Sequence, residues 1–213
     1  MGGKRGAPAV LVAALAAGVA ALFVLSVFLW LSAREPGTTS VEAGFSRDMI
    51  VHHSQAVEMS EIIRGRTENG RIQTLATDIA LTQQAQIGQM QGWLDLWGLP
   101  VSGPEPAMAW MGMPQEGMMP GMASQERINQ LRSLPPEEAD QLFLGLMIPH
   151  HEAAVPMANA VLEDTNNPAV EKLAGAIVAS QKAEIEIMRE MLDQMGGSVP
   201  EDSGMQMEGP GNN

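Results

Sequence analysis

The sequence predicts an all-α protein, a four-helix bundle that consists of two repeated helical hairpins and follows an N-terminal transmembrane helix. Three observations support this prediction. Residues 8–33 are almost uninterrupted apolar sequence, and a shift of 98 residues aligns much of the remaining chain with itself. Beyond the apolar segment, hydrophobic residues recur every three or four positions, which is typical of helices, and they do not alternate as in half-buried strands.

The composition excludes several classes of protein. A net charge of −13 argues against a nucleic-acid-binding protein, because phosphate recognition requires clustered Lys and Arg. The chain has no Cys, so disulfides, cysteine-ligated zinc, thiol catalysis and a lipoprotein anchor are excluded. It has 17 Met and 4 His, which leaves thioether and imidazole groups as the soft metal ligands.

The apolar segment is long enough to cross a bilayer, for which about 20 residues suffice. Lys4 and Arg5 precede it, which places the N-terminus in the cytoplasm and the rest of the chain outside. A cleaved signal peptide, which would release a secreted protein, is the alternative. The segment is longer than a typical signal core, and Leu31-Ser32-Ala33 is a poor cleavage site. We therefore predict a signal anchor over residues 1–34, followed by a linker over residues 35–44.

The 98-residue shift defines the organisation of the exported part. It predicts a duplicated bundle over residues 45–197, with repeat one at 45–98 and repeat two at 135–197. A connector at 99–134 separates the repeats, and a flexible tail follows at 198–213. Identical residues recur at this shift throughout a span of more than fifty positions. They include Phe45 with Phe143, Met49 with Met147, Leu75 with Leu173, Ile79 with Ile177, Met90 with Met188 and Gly98 with Gly196.

Each repeat is predicted to be a helical hairpin. In the first, helices at about 45–66 and 71–97 flank a turn at 68–70. In the second, a helix begins near residues 135–138, and Pro149 and Pro156 are expected to bend it. Asn167 is the predicted N-cap of the last helix, with a proline in the first turn.

The amino-acid composition of the connector differs from that of both repeats, because it combines Met with many Gly and Pro. Two interpretations remain open for it: Met and Trp110 side chains that pack on the bundle, or a methionine-rich metal loop. The six methionines concerned are Met108, Met111, Met113, Met118, Met119 and Met122.

The four histidines form two identical dipeptides in the motif Met-x-x-His-His-x-x-Ala-x-x-Met. Helical periodicity places the two imidazoles, both thioethers and the Ala of each motif on one face, with Glu58 on the opposite face. A pseudo-twofold axis would either join the two sets or leave two separate sites. The candidate metal ligands are Met49, His52, His53 and Met59 in repeat one and Met147, His150, His151 and Met157 in repeat two.

This mixture of ligands points to copper. Imidazole binds several transition metals, whereas thioether favours Cu(I), so we favour Cu(I) and retain Cu(II) as an alternative. Met90 and Met188, together with the connector methionines, are additional candidates. Gln83, Gln181 and Glu184 are expected to orient the imidazoles. The competing interpretation is four buried histidines that are satisfied by carbonyl and amide groups; their pairing and repetition favour metal.

Enzyme classes fit less well. A di-iron oxidase needs Glu three residues before the ligating His, and Met49 and Met147 occupy those positions. Neither a Gly-x-Ser-x-Gly elbow nor a glycine-rich phosphate loop is present. The sequence therefore predicts a binding protein rather than an enzyme.

The segments FSRDMIVHHSQAVEM and FLGLMIPHHEAAVPM, with the Met-rich connector between them, resemble domain-of-unknown-function family 305. The resemblance implies a ferritin-like fold, export, this duplication, and a link to copper binding and copper resistance. It also implies a copper-binding role for the eight residues of the two motifs. Two departures from symmetry are Glu58 opposite Pro156, and Arg47-Asp48 opposite Gly145-Leu146.

We accordingly predict a membrane-anchored, extracytoplasmic copper-binding protein for metal sequestration, tolerance or delivery. Its expected partners are the metal ion, the membrane, a copper-delivery protein and a second copy of the chain, and nucleic acid is not expected. The alternatives are a structural or partner-binding bundle without metal at the cell envelope and, third, a metal-dependent redox enzyme.

Overall fold

The structure is a computed structural model that describes the backbone of residues 7–32 and 35–200. Side chains are described for residues 10–29 and 35–200, so most of the predicted tail lies outside the described part. The chain divides into two compact units, Met1–Pro36 and Gly37–Asn213.

The described part of the first unit contains one helix, α1 (Ala7–Ser32). Its central part, Val10–Leu29, has a mean hydropathy of 2.7 and contains no charged residue. Those 20 residues are long and apolar enough to cross a membrane, and a signal sequence has the same properties. The predicted N-terminal apolar helix is therefore confirmed.

The second unit is helical, and the described residues contain no β-strand, so the predicted all-α class is confirmed. The long helices α2 and α3 form one hairpin, α5 and α6 form the other, and α2 packs against α5. A short helix, α4, and a 3₁₀ turn at Ala109–Met111 lie in the connector. The helices are α2 (Val41–Arg64), α3 (Gly70–Leu96), α4 (Gln125–Ser133), α5 (Pro136–Asp164) and α6 (Pro168–Gln194).

Two boundaries differ from the sequence prediction. Helix α2 begins four residues before Phe45, because Ser40 acts as its N-cap and accepts a hydrogen bond from the Ala43 N–H, so the linker is shorter than residues 35–44. The sequence analysis assigned no helix to the connector, yet Ser124 caps α4 in the same way. Helix α5 continues across both Pro149 and Pro156.

The two hairpin turns are built alike. Asn69 caps α3 and Asn167 caps α6, each accepting hydrogen bonds from two backbone N–H groups of the first turn. The hydroxyl of the Thr two residues earlier accepts from the Asn backbone N–H in both turns. The predicted N-cap at Asn167 is therefore correct, and residues 98 positions apart make the same contacts.

The same threonines tie each hairpin to the other. Thr67 donates a hydrogen bond to Asp140 of α5 at 2.9 Å, and Thr165 donates to Glu42 of α2 at 2.8 Å. Both acceptors lie in the first turn or two of their helices, so each turn is held at the start of a helix of the opposite hairpin.

The bundle core consists of two apolar clusters separated by polar side chains. The first cluster joins the C-terminal halves of α2 and α6 to the N-terminal halves of α3 and α5, and it includes the buried face of α4. The second joins the four remaining half-helices and part of the connector. Between them lie seven buried polar residues, here called the polar layer: His52, His53, Gln83, Gln86, His150, His151 and Gln181.

The connector is fastened to α2. Asp48 accepts hydrogen bonds of 2.7 Å from the backbone N–H of Met108 and from the indole N–H of Trp110. Farther along the helix, the amide of Gln55 bonds to both the N–H and the C=O of Ala123. Arg47 donates to the carbonyl of Pro100, which fixes the start of the connector. The segment between these anchors therefore lies across the polar layer.

The backbone of Gly121 in the connector packs closely against α5. Its φ of 75° is one that L side chains rarely adopt, and a Cβ built there would lie 2.5 Å from the carbonyl oxygen of Pro149. It would also lie 2.6 Å from the Cβ of Ala153. Only glycine satisfies both the backbone conformation and the space.

We expect Gly121→Ala to lower the free energy of unfolding by more than Gly112→Ala does. Gly112 has a φ of 74° with open space around it, so its variant carries the left-handed backbone cost alone, about 1–2 kcal/mol. Gly121→Ala adds overpacking against α5, typically about 1–3 kcal/mol. Urea unfolding of both variants measures the difference, and equal losses would contradict the close packing of the connector.

Candidate metal centre

The two histidine pairs lie midway along α2 and α5, where these helices contact each other. All four side chains are completely buried. The rings of His52 and His150 approach to a centroid distance of 3.8 Å with an interplanar angle of 36°. The two motifs therefore meet at the centre of the bundle instead of occupying distant surfaces.

The second histidine of each pair, His53 or His151, contacts the second helix of its own hairpin. Nε2 of His53 lies 2.8 Å from the amide oxygen of Gln86 on α3. Nε2 of His151 lies 2.7 Å from a carboxylate oxygen of Glu184 on α6. Both partners are 33 residues from their histidine, and each contact fixes the orientation of an imidazole ring.

Several imidazole nitrogens have no hydrogen-bond partner among the described residues. They are Nδ1 of His52, His53 and His151 and both ring nitrogens of His150. Nε2 of His52 has only a long contact of 3.4 Å with the carbonyl oxygen of Pro120 in the connector. A buried polar atom without a hydrogen-bond partner lowers the stability of the fold by about 1–3 kcal/mol. An ion bound by these nitrogens would therefore remove that cost.

The described residues contain no group of three or more His, Asp or Glu side chains that could hold a metal ion, so no three of the four imidazoles converge on one point. A metal held by these imidazoles would therefore need methionine thioethers as additional donors. Such a donor set suits a soft cation, since hard cations prefer several oxygen ligands.

The four motif methionines are all fully buried, but they are divided between the two apolar clusters. Met49 and Met157 lie in the second cluster, and Met59 and Met147 lie in the first. Each side of the polar layer thus receives one thioether from α2 and one from α5. The structure thus brings the two motifs together at the bundle centre and divides the methionines of each motif between the two sides of the polar layer.

The additional methionine candidates are mostly packed against the bundle. Met188 is buried in the first cluster, and Met90, Met108 and Met119 are buried in the second. Met111, Met113 and Met122 pack partly buried on that second cluster. Met118 differs, with 57% of its surface exposed. Packing therefore describes most of the connector methionines, and metal binding by them stays a prediction.

One orienting residue was missed by the sequence analysis and two were assigned a contact that the structure lacks. Gln83 is buried, but within residues 35–200 neither polar atom of its amide has a hydrogen-bond partner, and the amide oxygen of Gln181 has none there either. Gln86 orients His53 instead. Glu184, which was predicted to orient an imidazole, lies 98 positions after Gln86. Subtracting the repeat offset from Glu184 would therefore have identified Gln86.

Burial keeps three of the imidazoles neutral. It lowers the pKa of His52 to about 4 and that of His53 to about 3, and neighbouring histidines add to both shifts. Burial and the three other imidazoles place the pKa of His150 well below its usual value. Neutral imidazole is the form that binds metal ions, so these rings need not lose a proton at neutral pH.

These shifts predict that the metal-free protein loses stability as the pH falls from 7.5 to 5.0. Below about pH 6.5 the unfolded chain takes up protons on His52 and His53, whereas the folded chain does not do so until about pH 4 or below. Each of these two histidines therefore costs up to about 2 kcal/mol at pH 5, and the lowered pKa of His150 adds to the loss in the same direction. Urea unfolding at both pH values measures the loss. His53→Gln should show a smaller loss than the natural sequence, and an identical loss would contradict the assignment.

The sequence model of the family described as "Domain of unknown function (DUF305)" matches residues 42–192. A curated relative is uncharacterized protein L153 of Acanthamoeba polyphaga mimivirus, 51% identical over 47 residues. That match covers 22% of this chain and 31% of the viral protein, so the chain spans less than a third of that relative.

Solved structures resemble the helical unit over nearly their whole length. A DUF305 protein from Streptomyces coelicolor is 43% identical with a TM-score of 0.74, covering 77% of this chain and 99% of that one. A DUF305 fragment from Deinococcus radiodurans is 37% identical with a TM-score of 0.63, covering 75% and 99%. CopM in its Cu(II)-bound form is 30% identical with a TM-score of 0.59, covering 73% and 97%.

The family match covers most of the helical unit, and these solved structures are matched over almost their entire length. Both results agree with the resemblance that the paired Met and His motifs suggest. The chain therefore belongs to the DUF305 family.

Proposed function

We propose that this protein binds copper outside the cytoplasm and serves in metal sequestration, tolerance or delivery. The observation that carries the proposal is the meeting of two histidine pairs at the bundle centre, with unpartnered ring nitrogens. Four imidazoles in an apolar interior cost stability unless something occupies their lone pairs. Copper bound by these ring nitrogens together with motif thioethers would occupy the lone pairs, and copper is then the cargo of the protein.

The neutral donors suit a monovalent ion in a buried place. Imidazole and thioether bind without adding negative charge, so Cu(I) brings only a single positive charge into the core. The methionines on both sides of the polar layer favour Cu(I), whereas the imidazoles also accept Cu(II). We therefore propose Cu(I) as the favoured cargo.

The solved relatives support this choice of metal. CopM has been solved with Cu(II) bound, with Cu(I) bound at 26% identity to this chain, and with Ag bound at 27% identity. Ag⁺ and Cu⁺ are both soft monovalent ions, which is the class that thioethers select. The proposal carries that binding to this chain through its own paired histidines and methionines.

The place of action follows from α1. We propose that α1 is an uncleaved anchor with the N-terminus in the cytoplasm, as Lys4 and Arg5 suggest, so that the bundle handles copper outside. A delivery protein that exchanges the ion with the bundle is part of this proposal, as is the absence of catalysis. Removal of the helix by cleavage would leave the same bundle secreted.

The helical unit is a suitable object for binding experiments. Gly37–Asn213 is a compact unit by itself, and the Streptomyces coelicolor structure corresponds to only 77% of this chain. The family fold therefore forms without a counterpart of the whole chain, and residues 37–213 can be purified metal-free under anaerobic, reducing conditions.

We expect this unit to bind Cu(I) tightly and the variant His52→Leu/His150→Leu to lose most of that affinity. Leu fills much of the same volume, so the change removes two ligands without a large cavity. The loss should exceed the roughly 10–100-fold effect typical of residues that only support a ligand. Competition with a Cu(I) chelator measures it, with Zn²⁺ and Fe²⁺ titrated in parallel.

Gln83→Leu is the matched control, because it removes an unpartnered polar group from the same layer. It should retain Cu(I) binding, and circular dichroism should show all three proteins folded. Binding that survives in the histidine variant would move the site to the connector methionines. Failure of the natural sequence to bind copper would contradict the proposal and favour a structural or partner-binding bundle.

The methionines are tested separately with Met59→Leu/Met147→Leu. Leu conserves volume but lacks the thioether, so we expect Cu(I) affinity to fall while Cu(II) affinity changes little. Met191→Leu alters a methionine of the same apolar cluster outside the motifs and should leave both affinities unchanged. Equal losses in the two variants would show that packing, and not ligation, is being measured.

A further inference from the structure

The two histidine pairs are supported by chemically different groups at corresponding positions. His53 faces the amide of Gln86, and His151 faces the carboxylate of Glu184. The two supporting residues are 98 positions apart, like the two histidines. The contacts are nearly equal in length, 2.8 Å and 2.7 Å, so the difference lies in charge and hydrogen-bonding capacity.

The carboxylate determines which nitrogen of His151 is free. An ionised carboxylate can only accept hydrogen bonds, so Nε2 of His151 donates to it, and in the neutral imidazole this leaves the lone pair on Nδ1. That Nδ1 is buried and has no partner among the described residues. The amide oxygen of Gln86 selects the same tautomer of His53, but it does so without a charge.

The carboxylate also places a negative charge beside the imidazole. The side chain of Glu184 is only 17% exposed, so solvent screens this charge incompletely. Arg189, one turn along α6, is paired with Glu152 and Glu186. A charge-assisted hydrogen bond makes the opposite nitrogen a stronger donor to a metal and offsets part of the charge of a dication.

We propose that Gln86 and Glu184 are positioning residues that make the two halves of the metal centre inequivalent. Both present Nδ1 to the metal, and Glu184 makes the His151 half better suited to Cu(II), while Gln86 leaves the His53 half better suited to Cu(I). The inference rests on the proposed copper binding, and it goes beyond it by assigning the metal-facing nitrogen and the source of preference between oxidation states.

The first test needs no metal. Long-range ¹H–¹⁵N correlation spectra of the ¹⁵N-labelled metal-free unit at pH 7.5 distinguish the two neutral tautomers of each histidine. We expect both His53 and His151 to carry the proton on Nε2. A proton on Nδ1 of His151 would overturn the assignment, whether or not the protein binds copper.

The second test exchanges the two supporting groups. In Glu184→Gln, Cu(II) affinity should fall by about tenfold or more, the lower end of the effect of such partners, while Cu(I) affinity changes less. In Gln86→Glu, Cu(II) affinity should rise relative to Cu(I) affinity. Each oxidation state is titrated separately against a competing chelator, and the ratio of the two affinities is the readout.

Glu186→Gln is the control. It removes the same negative charge two residues after Glu184, from a side chain that is 78% exposed. It should leave the ratio unchanged. A ratio that moves equally in Glu184→Gln and Glu186→Gln, or that moves in neither exchange variant, would overturn the proposal. If the natural sequence binds no copper, the proposed function fails, and the tautomer spectra still decide the hydrogen-bond assignment.

Discussion

The contact between the rings of His52 and His150 is the constraint on which the rest of the bundle depends. Two neutral imidazoles at a centroid distance of 3.8 Å, with no solvent exposure, interrupt what would otherwise be a continuous apolar core. The chain accommodates them by placing an apolar cluster on each side, drawn from all four long helices. The two apolar clusters therefore stabilise the bundle, which leaves the polar layer between them available for a functional role.

The hydrogen bonds of the polar layer are only partly satisfied. Gln86 of the layer and the neighbouring Glu184 each bind one imidazole, but the Gln83 amide and the His150 ring nitrogens have no hydrogen-bond partner in the described part of the chain. Buried polar groups in native proteins are normally paired, and exceptions concentrate where function requires them. The unpartnered atoms are therefore more informative about function than the hydrogen bonds that do form, because packing alone gives no reason to keep them.

Much of the architecture could be predicted from the sequence, because helical periodicity and capping residues act locally. The N-terminal apolar helix, the hairpins and the cap at Asn167 follow from such local patterns. The start of α2 was predicted too late, since Ser40 lies in a stretch whose Pro and Gly suggest a linker. Helix α4 was missed because the connector was judged from its Met, Gly and Pro before residue 124.

The site was predicted less completely, because its details depend on contacts between distant residues. The shared face of each motif follows from helical geometry, but the division of the methionines into two clusters depends on how α2 crosses α5. The role of Arg47 and Asp48, noticed only as a departure from symmetry, is to hold the connector. No local pattern contains that information, since the partners lie more than 50 residues away.

The anchoring of the connector has a kinetic consequence. Because no imidazole touches solvent, an ion cannot reach the bundle centre by diffusion alone; a covering segment must first move. The connector near Gly121 packs on α5 and is held to α2 by the paired hydrogen bonds of Gln55. For the proposed copper cargo, local opening of that segment would then set the rates of uptake and release, so the retention time would depend on how the connector is held as well as on the affinity of the ligands.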